Sequence, residues 1–95
     1  MAGPNLERLE AFVEHGLRRA GTLADAEAGA LLNVNAQALR RHLGALDRWA
    51  AEEGDRPCPP HLQGLTAFDL ADAAERLEAE AARRMSGRET VEAKA

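Results

Sequence analysis

The chain has 95 residues, of which 45% are hydrophobic, and it carries a formal net charge of −4 at pH 7. This length suits one domain, because shorter pieces would not each enclose a core. The negative balance argues against a protein that coats nucleic acid with its whole surface. The single cysteine, Cys58, excludes an intrachain disulfide. Few residues are β-branched and none is isoleucine, which predicts an all-α fold.

The expected core is thin, because much of the hydrophobic share is alanine, which buries little area. The only aromatic residues are Phe12, Trp49 and Phe68, so leucines must supply most of the core. A core of this kind is marginal in a monomer of this size. We therefore expect a homo-oligomer, or a protein partner that packs on helical faces.

The first predicted helix begins after Asn5, a good N-terminal cap, and leaves Pro4 just outside it. Apolar residues three and four apart would lie on one face of this helix. They are Leu6, Leu9, Phe12, Val13, Leu17 and Ala20. Gly21 is placed to end the helix in a left-handed cap.

A short second helix is expected to open with a variant capping box, formed by Thr22 and Asp25, and to run to about Leu32. The following segment, Asn33-Val34-Asn35, is predicted to be a turn. Asparagine tolerates the left-handed conformation and also caps helices, so this segment can close one helix and open the next.

A long third helix is predicted from about Ala36 to Glu53, with Gly54 at its end. Trp49 flanks its apolar stripe, which consists of Leu39, Leu43, Leu46 and Ala50. Three prolines between Asp55 and Pro60 remove hydrogen-bond donors and predict an irregular loop.

Thr66 and Asp69 repeat the variant capping box and open a fourth predicted helix, from about Ala67 to Met85. Its expected buried face is Leu70, Ala74, Leu77 and Ala81. Residues 86–95 are polar and lack a periodic apolar face, so they are expected to form a disordered tail. The sequence thus predicts one four-helix domain over residues 1–85.

The stretch from Ala28 to Arg41 resembles the helix-turn-helix of bacterial and phage DNA-binding proteins. Gly29 matches the small residue at which the two helices cross, the segment 33–35 matches the turn, and Leu39 matches the aliphatic anchor of the second helix. The resemblance implies a small non-enzymatic regulator or accessory factor whose second helix lies in the major groove of DNA.

The same resemblance implies a set of DNA-contacting residues. The implied base readers are Gln37, Arg40 and Arg41, and the implied phosphate contacts are Asn35 and Arg48. Residues 33–48 carry a local charge of +2 between two acidic segments. The alternative is that these arginines form the solvated face of an amphipathic helix.

Two other interpretations remain open at this stage. Leu43, Leu46 and Trp49 recur every three residues, which is similar to the helical core-binding domain of tyrosine recombinases. The chain contains no tyrosine, so this resemblance implies only a module that grips DNA. The second interpretation is a helical adaptor or structural protein that oligomerises and binds other proteins, such as a component of a phage-like or multi-subunit assembly.

No motif indicates an enzyme, a metal site or a cofactor. The histidines His15, His42 and His61 form no i+3 or i+4 ligand pair. His61 lies three residues after Cys58, but two ligands do not make a metal site. The N-terminus lacks signal-peptide features and no apolar run approaches the roughly 20 residues that span a bilayer, so we expect a cytoplasmic protein.

Overall fold

The computed structural model describes the backbone of residues 3–94 and the side chains of residues 3–86. Residues 3–94 form three α-helices and no strand: α1 is Pro4–Ala20, α2 is Asp25–Glu52 and α3 is Ala67–Lys94. The all-α prediction is confirmed, whereas the prediction of four helices is wrong. None of the helices within residues 3–94 combines the length and the hydropathy needed to cross a bilayer.

The central helix, α2, continues through the segment 33–35, where the sequence predicted a turn. Its buried residues keep one phase across that segment; they include Ala28, Leu32, Ala36 and Leu39. An asparagine inside a helix costs a fraction of about 1 kcal/mol relative to alanine. Burying two leucines on a continuous face outweighs that cost. The predicted turn is therefore wrong, and so is the helix-turn-helix geometry that depends on it.

The three helices pack side by side around a core of leucine and alanine. Near the end of α3, Arg84 bonds Asp25 at the start of α2, so these two helices are antiparallel. Among residues 3–86, the buried hydrophobic residues are seven leucines, six alanines and one valine. Phe12 and Phe68 remain 38% and 76% exposed, and Trp49 is half-buried. The prediction that leucines supply the core is confirmed.

The apolar stripes predicted for the helices are confirmed most fully in α3. All four of its predicted core residues are buried, and Ala73 joins them. In α1 the residues Leu9, Val13 and Ala20 are buried as predicted. In α2 the prediction fails at Ala50, which is exposed near the C-terminal end of the helix.

The first helix begins and ends differently from the prediction. It starts at Pro4, with Gly3 as N-cap, and no side chain caps it. Gly21 follows the last helical residue in the right-handed region, with φ −63°, and its N–H donates to the carbonyls of Leu17 and Arg18. The predicted cap at Asn5 and the left-handed cap at Gly21 are both wrong.

The two predicted capping boxes have opposite outcomes. Thr22 and Asp25 do not cap α2, because the Thr22 hydroxyl donates to the carbonyl of Arg19 and Asp25 accepts from Arg84. Ahead of α3, the Thr66 N–H donates to the Asp69 carboxylate at 2.9 Å, and the Asp69 N–H donates to the Thr66 hydroxyl at 3.0 Å. The second box is confirmed.

The irregular loop predicted at 55–60 is confirmed and extends over residues 53–66. The helix before it ends at Glu52, one residue before the predicted end, with Glu53 as C-cap. The last helix, α3, extends to Lys94, nine residues beyond its predicted end at Met85. The side chains of residues 87–95 lie outside the described residues, and the disorder of the tail stays a prediction.

Candidate binding groove between α1 and α2

An open apolar groove lies between α1, α2 and the loop that follows α2; we call it the α1/α2 groove. Its volume is about 290 Å³. Its apolar lining comes from both helices, the loop and the start of α3; the main contributors are Leu9, Phe12, Ala38, Leu39, Leu62 and Leu65. The groove is thus a gap in the side of the bundle that side chains of this chain leave partly unfilled.

Phe12 forms one wall of this groove. Its position between Leu9 and Val13 predicts a buried ring, yet 38% of the residue is exposed. Across the groove α2 presents Ala38, whose methyl group leaves room beside the ring. Phe12 therefore lies at the open groove rather than in the closed core.

Side-chain hydrogen bonds hold the loop against the end of the groove. The Asn5 amide donates to the carbonyls of Pro60 and Gln63, at 2.7 and 2.8 Å. The Trp49 indole N–H donates to the carbonyl of Arg56 at 2.9 Å. Because these donors belong to α1 and α2, the loop is fastened to both helices that form the groove.

The polar groups that line the groove include a guanidinium and two imidazoles. Arg8 lines it from α1, His42 from α2 and His61 from the loop. The two imidazole rings meet edge to face, with centroids 5.3 Å apart and an interplanar angle of 63°. No acidic side chain lines the groove, and within residues 3–86 Arg8 takes part in no ion pair. The site suits an apolar ligand with negative or hydrogen-bonding groups near it.

Two of the residues predicted to contact DNA have partners within the fold. Asn35 is half-buried against α1, with its Nδ2 3.1 Å from the point that a Cβ on Gly16 would occupy. The Arg40 guanidinium donates to both oxygens of Glu78 on α3, at 2.6 and 3.3 Å. These hydrogen bonds lower the pKa of the Glu78 carboxyl from its ordinary value. Arg40 thus joins α2 to α3.

The other three predicted DNA contacts lie together on the outer face of α2. Gln37, Arg41 and Arg48 are exposed and follow one another after four and seven residues, which places them on one side of the helix. The structure therefore separates the predicted set into an exposed trio and two residues engaged with other helices.

Sequence reasoning missed the groove, although one signal for it is present in the sequence. Arg8 and Phe12 are four residues apart on α1, as Ala38 and His42 are on α2, so each pair lies on one side of its helix. Only the packing of the two helices brings the pairs together. Among the described side chains, no cluster of three or more histidine, cysteine, aspartate or glutamate residues is arranged to hold a metal ion.

Comparison of the chain with protein-family models, with curated proteins and with solved structures gave no match. The function is therefore inferred from the groove and from the distribution of charge around it.

Proposed function

We propose that the chain is a non-enzymatic helical adaptor that holds an apolar side chain of a partner protein in the α1/α2 groove. The observation that supports this most is the half-exposed Phe12, which walls an open apolar groove in a chain with a small-residue core. Apolar surface left in water forgoes about 25 cal/mol per Å² of stabilisation. A partner that covers the ring and fills the groove recovers that free energy on binding.

The size of the groove favours a side chain over a large cofactor. Ligand pockets in proteins usually enclose about 300–1,000 Å³, and the groove, at about 290 Å³, lies just below that range. Helical proteins commonly bind a partner segment by taking its anchoring apolar residues into a groove between helices. An anchor residue in a partner segment, helical or extended, fits this groove.

The test is a selection from a displayed library of random 12-residue peptides, followed by fluorescence anisotropy with the enriched sequences. Ala38→Phe places a ring inside the groove and is expected to weaken binding at least tenfold. Ala30→Phe is the matched control, because it adds the same ring at an exposed position on the outer face of α2. Circular dichroism of both variants checks that the helical fold is kept.

We expect the enriched peptides to share a bulky apolar residue and to bind the wild type and Ala30→Phe with equal affinity. The adaptor proposal fails if no peptide is enriched, or if Ala38→Phe binds the peptides as well as the wild type does.

DNA binding is a second candidate, favoured by the exposed trio Gln37, Arg41 and Arg48. Without the turn, α2 would meet the major groove as a straight helix, with the trio spread over about 16 Å. We expect the double substitution Arg41→Ala and Arg48→Ala to weaken DNA binding. It should also make the affinity less dependent on salt, since each neutralised phosphate releases a counterion. Arg18→Ala, an exposed change on α1, is the control. Failure to retard genomic fragments at about 50 mM salt would remove this candidate.

The proposal also places the protein in the cytoplasm, where a lone thiol such as that of Cys58 stays reduced. Fluorescence microscopy of a tagged chain in the native cell tests this; a signal confined to the cell exterior would contradict it.

A further inference from the structure

We propose that the segment entering the α1/α2 groove is an acidic peptide, with a bulky apolar anchor flanked by aspartate or glutamate. This inference rests on the proposed adaptor function and names the chemistry of its partner. The evidence for it is that basic side chains lie on the groove side of α1 and acidic side chains on its other side.

On the side of α1 that faces the groove, the charged or ionisable side chains are all basic. Arg8 and Phe12 line the groove directly. His15 and Arg19 follow them at spacings of three and four residues, so they continue the same side of the helix, and both are exposed. A row of basic side chains therefore runs along α1 beside the groove.

The acidic residues of α1 lie on its other side. Glu10 lines a separate cleft against α3, together with Asp69 and Asp72. Glu7 and Glu14 are three and four residues from Glu10, which places them with it and away from the groove. One helix thus presents opposite charges to its two neighbours.

The part of α2 that borders the groove also lacks acidic residues. From Ala28 to Leu46 this helix contains no acidic residue, and the nearest ones, Glu27 and Asp47, stand just beyond those ends. Within the stretch, His42 is exposed and lines the groove, whereas Arg41 lies on the outer face of the helix.

The loop adds His61, so two of the three histidines of the chain, His42 and His61, line the groove. The ion pairs formed within residues 3–86 use Arg40, Arg83 and Arg84, not Arg8, the arginine that lines the groove. A chain of net charge −4 therefore places at its apolar groove an arginine that forms no ion pair within residues 3–86, two histidines and no acidic side chain.

Charge of this sign selects partners by attraction and repulsion more than it adds affinity. A peptide with carboxylates beside an apolar anchor satisfies both the groove and its surroundings. The phosphates of a nucleic acid can pair with the basic side chains, but they cannot fill the apolar groove. The concave apolar lining therefore favours the acidic peptide over DNA.

The experiment uses three sets of 15-residue peptides that share a central leucine or phenylalanine and differ only in having glutamate, glutamine or lysine on both sides. Anisotropy is measured at about 50 mM and about 1 M salt. We expect the glutamate peptides to bind about tenfold more tightly than the lysine peptides at low salt, and the difference to shrink at high salt, where charges are screened beyond about 3 Å.

Two arginine variants locate the charge effect. Arg8→Glu should abolish the preference for the glutamate peptides. Arg18→Glu should keep it, because Arg18 is exposed four residues after Glu14 on the acidic side of α1.

The outcomes separate this inference from the adaptor function. Equal binding of all three peptide sets overturns the acidic partner and leaves the groove as an apolar site. Binding of none overturns both. Duplex DNA that displaces the glutamate peptides, and that binds Ala38→Phe as well as wild type, overturns the acidic peptide in favour of a nucleic acid.

Discussion

Replacing Val34 by proline tests whether α2 is one helix. Val34 lies at the middle of the segment 33–35 and is 60% exposed, so its side chain contributes little to the core. In a continuous helix its N–H donates to the carbonyl of Ala30, four residues earlier. Proline removes that donor, and its ring clashes with the same carbonyl, at a cost of about 3 kcal/mol or more. In a turn between two helices the same substitution would cost little.

A loss of this size is large for a small domain. Domains are stable by about 5–15 kcal/mol, and each 1 kcal/mol shifts Tm by about 4–8 °C at this chain length. Val34→Pro should therefore lower Tm by roughly 12 °C or more. Val34→Ala is the control, since alanine removes the same exposed side chain and favours the helix.

The assay is urea and thermal unfolding followed by circular dichroism. We expect Val34→Ala to unfold at or slightly above the wild-type midpoint and Val34→Pro far below it. Equal unfolding midpoints for the two variants would show that the chain turns at 33–35, as in a helix-turn-helix.

Three further predictions concern stability and association. Arg84→Met removes hydrogen bonds to the Asp25 carboxylate and to two carbonyls near the α1–α2 connection, and should lower the free energy of unfolding by about 1.5–3 kcal/mol; an unchanged urea midpoint would contradict this. The bonded Arg40 lowers the pKa of Glu78, so their interaction stabilises the fold at neutral pH and is lost as pH falls through that lowered pKa. Glu78→Gln should accordingly be less stable than wild type near neutral pH and approach it in acid, and a pH-independent difference would refute the role of the pair. If the thin core is completed by association, Tm rises with protein concentration, whereas a 10.2 kDa monomer at all concentrations in sedimentation argues against it.

The elements that the sequence predicts correctly depend on short-range chemistry. Thr66 and Asp69 are three residues apart and bond each other, so their capping box can be read directly. The prolines at 57, 59 and 60 interrupt any helix without help from the rest of the fold.

The wrong predictions are those in which a distant residue changes the local balance. Asn5 has the chemistry of an N-cap, but its amide finds two carbonyls 55 and 58 residues away. At 33–35 the local preference for a turn is outweighed by a buried face that continues in phase from Leu32 to Leu39. Residue preferences at three positions do not show that continuity, although the spacing of the apolar residues does.

The candidate site depends still more on tertiary packing. The exposure of Gln37 and Arg41 follows from their position on an amphipathic helix and was predictable. The pairing of Arg40 with Glu78 joins residues 38 apart and was not. The groove was not predictable either, because only tertiary packing brings its lining residues together from three helices and the loop.

The central claim is that a partner segment enters the α1/α2 groove, and an NMR titration of the isotope-labelled chain with the glutamate-flanked leucine peptide tests it most directly. We expect the largest shift changes at the amides of Phe12, Ala38 and His42, with little change at Gln37 and Arg48 on the outer face of α2. Changes confined to the outer face, with the groove amides unmoved at saturation, would contradict the claim.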